Sequence, residues 1–87
     1  MQEKVESFSA AKVAARIRVG QALEGASAIA DAMEAADWKA MRLEQREGEC
    51  CLITPGASVA RSVDVEDGLC VNFASDGAVC GVSFYLE

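Results

Sequence analysis

Apolar residues recur in two different rhythms along the chain, and the rhythm changes near residue 40. From Ala26 to Trp38 the sequence is rich in strong helix formers, with Ile29, Met33 and Ala36 at helical spacing and Asp31, Glu34 and Asp37 on the opposite side. This predicts a helix. Its apolar face is mostly alanine, so it must approach closely whatever it covers. Residues 9–19 fit two patterns. Ser9 can cap a helix whose stripe is Ala10, Val13, Ala14 and Ile17, while Val13, Ala15, Ile17 and Val19 also alternate as a strand would. Gly20 and Gly25 punctuate the link that follows.

The second half alternates with period two between turn signals. Val63 and Val65 precede Glu66-Asp67-Gly68, and Leu69, Val71 and Phe73 follow. A two-residue Asp-Gly turn would put Asp64 on the apolar face. A three-residue loop, with Gly68 left-handed at a G1 bulge, instead pairs Val65 with Leu69 and Val63 with Val71, and is the expected arrangement. The next turn, at Asp76-Gly77, must return Cys80, Val82, Phe84 and Leu86 to the same face. A two-residue turn does so and sets Phe73 opposite Cys80. In that register Cys70, Asn72, Ser83 and Tyr85 line the reverse face, Cys80 lies on the core face, and Cys50 and Cys51 point to opposite faces. Neighbouring cysteines on opposite faces satisfy neither disulfide geometry nor a converging metal site, so the four thiols are expected free, with no metal and no cofactor.

Residues 38–46 read equally as a helix extension or as a strand with Met41 and Leu43 inward, turning at Glu47-Gly48-Glu49 into Cys50–Ile53. Pro55-Gly56 then marks a turn. The stretch from Val59 to Phe84, with its acidic turn closed by Gly68, the Asp76-Gly77 turn and a last strand containing Gly81-Val82, resembles the C-terminal part of a family of small bacterial proteins classed only as a domain of unknown function. The resemblance covers part of the chain and leaves the helical half outside it. It implies a four-stranded meander, sometimes encoded beside toxin genes, favours a strand at 40–46, and transfers no catalytic residue. The expected architecture is α+β: an alanine-rich N-terminal helix or helices packed on one face of a roughly four-stranded antiparallel β-meander. It forms one domain over 1–87, mainly helical through 38 and sheet from 39.

Composition narrows the functions more than it selects one. The 87 residues include no histidine, which removes Ser-His-Asp and Cys-His catalysis and His-ligated metals. No serine sits in a nucleophile elbow, and the Gly20 and Gly25 pair lacks the lysine and hydroxyl of a phosphate-binding loop. Carboxylates at Asp64, Glu66 and Asp67 gather at a hairpin, where solvated turn acids are the plain explanation. Net charge is −6, all of it from residues 47–87, where seven acids face Arg61 alone. Such a surface disfavours nucleic acid and suits a basic protein partner. Apolar runs are too short for a membrane span and the N-terminus lacks signal-peptide character, so a cytoplasmic location is expected. A homodimer is expected from exposed sheet edges and from alanines at 22, 26 and 30 and at 28, 32 and 36. Two functions remain: a non-enzymatic interaction protein, antitoxin-like or an accessory subunit, using its acidic β-half; or a small-molecule binder or minor enzyme with a cleft between helix and sheet. The face of Cys70, Asn72, Ser83 and Tyr85 is a candidate surface for a partner or a ligand.

Overall fold

A computed structural model describes residues 8–20 and 24–85. The rhythm of residues 9–19 resolves as helix α1, Ala10–Gly20, whose buried side chains are Val13, Ala14 and Ile17. Ser9 caps it, its Oγ accepting the Lys12 N–H at 3.3 Å. Helix α2, Ala26–Ala35, buries Ala26, Ile29, Ala30 and Met33. It stops three residues short of the expected Trp38, because Ala36 turns to an extended conformation and Trp38–Ala40 forms a single 3-10 turn. Trp38 closes that end of α2: its indole N–H donates to the Met33 carbonyl at 2.8 Å. Phe8 wedges edge-on between Trp38 and Phe84, with ring centroids at 5.2 and 5.3 Å. Arg18 of α1 reaches both Asp31 and Glu34 on the outer side of α2.

Five antiparallel strands follow, β1 (Arg42–Arg46), β2 (Glu49–Ile53), β3 (Arg61–Glu66), β4 (Leu69–Phe73) and β5 (Val79–Tyr85). The fold is therefore α+β, with five strands where about four were expected. Their spatial order is β1-β2-β5-β4-β3, so the sheet is not one continuous meander. Strand β5 inserts between β2 and β4, and residues 54–60 carry the chain across to the far edge, where the Ala60 N–H bonds the Phe73 carbonyl at 2.8 Å. Both helices lie on one face, over Cys50, Leu69, Val71, Phe73, Val82 and Phe84. Residues 42–46 are strand, but β1 is exposed along its whole length and Leu43, although on the helix side, is 41% exposed.

Bulges set the register of the two later hairpins: the first keeps the expected Val63–Val71 pair and differs only in the partner of Leu69, whereas the second departs from the expected register. Between β3 and β4, Glu66 rather than Val65 pairs with Leu69 across a short Asp67-Gly68 turn. Val65 is the extra residue, and this restores Val63 opposite Val71 and leaves Asp64 opposite Cys70. Between β4 and β5, residues 75–77 form a three-residue loop rather than a two-residue turn. The Ala74 N–H bonds the Ala78 carbonyl at 2.9 Å, and the Gly77 N–H bonds the Ala74 carbonyl at 3.0 Å. Phe73 consequently pairs with Val79, not Cys80, and the register shifts before Asn72 meets Gly81. Cys80 is the residue added at that shift, so it turns to the reverse face and Val79 takes its place in the core. The odd loop and the bulge cancel, and Val82 and Phe84 still point inward, as the alternation requires. Leu86 lies outside the described residues.

Gly77 has φ +88° and open space around the position of a Cβ. Asp76 supports the loop by accepting the Ala78 N–H on its Oδ1 at 2.9 Å. Gly77→Val should therefore cost the backbone penalty without a clash, about 1–2 kcal/mol. A thermal melt of the variant checks this, and an unchanged midpoint would place the loop wrongly. Gly68 likewise has φ +77°, and its carbonyl accepts the Tyr85 N–H at 2.9 Å.

Candidate functional site

Among the described residues no helix or strand lies over the face of the sheet turned away from the helices, yet its central residues are buried. Strand pairing sets Glu44, Cys51, Ser83, Cys70 and Asp64 in one row across all five strands. Cys51 and Cys70 are each 3% exposed and Ser83 is 7% exposed. Small side chains along the middle with longer ones at the edges make this face a groove. At one end the chain of residues 54–60 walls it: Ala57 and Val59 stand over Cys51, Asn72, Cys80 and Ser83 and enclose a cavity of about 170 Å³.

Three of the four residues expected on this face, Cys70, Asn72 and Ser83, form one hydrogen-bonded floor. The Ser62 hydroxyl donates to Asn72 Oδ1 at 2.8 Å, and Asn72 Nδ2 donates to Ser83 Oγ at 3.2 Å. The Cys51 thiol reaches the same Ser83 Oγ at 3.6 Å, and the Cys70 thiol reaches Asn72 Oδ1 at 3.9 Å. Among the described residues no buried side-chain nitrogen or oxygen lacks a partner, so the floor is internally satisfied and rigid. Tyr85, the fourth, stands 46% exposed at the other end of the groove. Glu49 pairs with it across β2, while Cys70 and Asp64 approach from the β4 side. The Cys70 sulfur, burial, and the Glu49 and Asp64 charges together push the Tyr85 phenol above its ordinary value.

Sequence reasoning set Cys50 and Cys51 on opposite faces without assigning either to this one, and it missed Cys80 and the wall at Ala57 and Val59. Cys51 was recoverable from its alternation with Cys50. Cys80 was not, because its face depends on a loop length and a bulge that no residue type announces.

All four cysteines are free. Burial pushes the thiols of Cys51, Cys70 and Cys80 above their ordinary value near 9.0. They are thus protonated at neutral pH, the opposite of what a nucleophilic or metal-binding cysteine requires. No cluster of three or more metal-ligating side chains occurs among the described residues. The hairpin carboxylates are also separated in use: Glu66 is held by both nitrogens of the Arg16 fork at 2.7 and 2.9 Å, which depresses its pKa, whereas Asp64 faces the groove.

The thiols give a pH prediction. In the unfolded chain they titrate near 9.0, and in the fold three of them titrate higher. Their contribution to stability is complete below pH 9 and disappears as pH rises through the raised values. Urea midpoints should hold from pH 7 to about 8.5 and fall by pH 10, and Cys→Ser variants should flatten that fall. A midpoint that does not move would contradict the burial assigned to these groups. Four adducts should form on alkylation in denaturant without reductant.

No protein-family model, no curated protein and no solved structure matches this chain. Among the described residues no helix is long and apolar enough to cross a membrane.

A second concavity lies on the helix side. Ala28, Ile29 and Ala32 of α2 face Arg61 and Phe73 across a cleft of about 450 Å³, with the Arg61 guanidinium 4.7 Å above the Phe73 ring.

Proposed function

We propose that this chain is a non-enzymatic interaction protein, of antitoxin or accessory-subunit kind, that receives a basic segment of a partner protein along its uncovered sheet face. The observation that carries the reading is the end of the groove at Tyr85. An exposed phenol ring there lies between the carboxylates of Glu49 and Asp64 above a floor of small, satisfied side chains. A lysine or arginine would gain the ring face and two charges together. Arg46 lies 3.9 Å from Glu49, which leaves Asp64 as the carboxylate with no cationic partner among the described residues. Residues 47–87, which supply most of this face, carry seven acids against Arg61 alone, while Arg46 lies at its β1 edge.

Affinity capture from the source cell, with the unmodified protein and with an Asp64→Lys/Tyr85→Ala double variant, tests the reading. A basic protein held by the first and lost by the second is the expected outcome. Equal capture by both would overturn it.

The cleft under α2 favours a second reading, a small-molecule binder. Its volume falls in the range of ligand sites, and Arg61 supplies a cation, with Glu24 also on the lining, against the apolar side chains of Ala28, Ile29, Ala32 and Phe73. Under that reading thermal shifts appear with small carboxylates, vanish in Arg61→Ala and persist in the groove variant.

A further inference from the structure

The two edges of the sheet are unlike. Strand β3 is bulged at Val65, with Val63, Val65 and Glu66 half-buried, which makes it a poor template for another strand. Strand β1 is straight, pairs with β2 over five consecutive residues, and has all five residues exposed. Arg46 and Glu49 close a two-residue turn, so the main-chain groups of Arg42, Glu44 and Arg46 are spent on β2. Those of Leu43 and Gln45 point away from the sheet. Of the two alanine stripes expected to serve a helical contact, the first is not free for it, since Ala26 and Ala30 are buried within the protein and Ala22 lies outside the described residues. In the second, Ala28 is exposed, Ala32 and Ala36 are half-buried, and Ala28 and Ala32 line the cleft that faces Arg61.

We propose that β1 pairs antiparallel with β1 of a second copy about a two-fold axis through Leu43. The sequence Arg42-Leu43-Glu44-Gln45-Arg46 is self-complementary in that register. Arg42 falls opposite Glu44 of the second copy and Glu44 opposite its Arg42, while the two Leu43 side chains, 41% exposed in the single chain, cover one another on the helix side. An axis through Glu44 would oppose Glu44 to itself and Arg42 to Arg46. An axis through Gln45 would leave Leu43 opposite Glu47. Arg42 has no ionic partner among the described residues, and Glu44 has only Arg46 of its own strand, at 3.2 Å. The pairing joins two five-stranded sheets into one of ten, with both grooves on the same side. The contact is small, well below the roughly 1,200 Å² of a stable interface, so the dimer is weak, with a dissociation constant on the order of tens of micromolar.

Sedimentation equilibrium from about 5 to 500 µM, spanning that constant, tests the pairing in physiological salt with exposed-surface variants. The unmodified protein should pass from a 9.2 kDa species to a dimer. Arg42→Glu and Glu44→Arg should each weaken dimerisation about tenfold, and mixing the two should restore it, because the mixed pair again sets opposite charges against each other. A 9.2 kDa species at every concentration would overturn the proposal. So would a dimer that Arg42→Glu leaves unchanged, as an axis through Gln45 predicts, or tightens, as an axis through Glu44 predicts.

Discussion

Gly81→Ala should destabilise the protein by about 3 kcal/mol or more, although it adds a single methyl group. A Cβ at Gly81 would lie 2.1 Å from the Leu52 carbonyl oxygen and 3.2 Å from its carbon. Both are backbone atoms of β2, which cannot swing aside as a side chain can. Gly81 pairs with Ile53 of β2 next to the bulge at Cys80, and a glycine there leaves room for the two backbones to approach closely. The effect differs in kind from that at Gly77, where the space is open and only the dihedral is strained. Chemical denaturation distinguishes the two: Gly81→Ala should lower the midpoint far more than Gly77→Ala. Equal midpoints would mean that the strands do not meet as closely as this geometry requires.

Phe73→Ala should cost about 3–5 kcal/mol. Its ring is 2% exposed in the core beneath α2, and truncation to a methyl group removes most of the apolar volume it buries. A chain of 87 residues is stabilised by only about 4–13 kcal/mol in total, so the variant should be largely unfolded or melt far below the parent. Phe73→Leu keeps most of the volume and should cost under about 1.5 kcal/mol. Circular dichroism melts of both variants check this, and similar losses for the two would contradict the packing assigned to the ring.

Periodicity carried much of the fold. Val13, Ala14 and Ile17 lie on the buried side of α1, and Ile29 and Met33 on that of α2. Val63, Val71, Val82 and Phe84 face the helices as their alternation requires. Loop length and strand order were not legible. An Asp-Gly pair fits a two-residue or a three-residue loop, and a bulge reverses the parity in either case, so the face of Cys80 had no local signature. The insertion of β5 between β2 and β4 depends on contacts made far along the chain, which local pattern does not encode. The Ala26 and Ala30 stripe illustrates the same gap: small residues permit close helix packing, and only the tertiary structure shows that α1 takes that contact.

The groove floor was partly legible for the same reason. Asn72 and Ser83 follow from alternation on β4 and β5, and their closed network with Ser62 and Cys51 explains how a sheet face without a helical cover stays ordered. The edge pairing at β1 leaves both grooves open to a partner, so self-association and partner binding do not compete for the same surface.

Site-specific photo-crosslinking in the source cell tests the interaction reading most directly. A photoreactive phenylalanine at position 85 lies at the acidic end of the groove, and one at position 19 replaces Val19, which is 85% exposed on α1. The account predicts a discrete adduct with a basic protein from position 85, lost when Asp64→Lys is added, and none from position 19. Adducts of the same mass from both positions, or from position 19 alone, would contradict it.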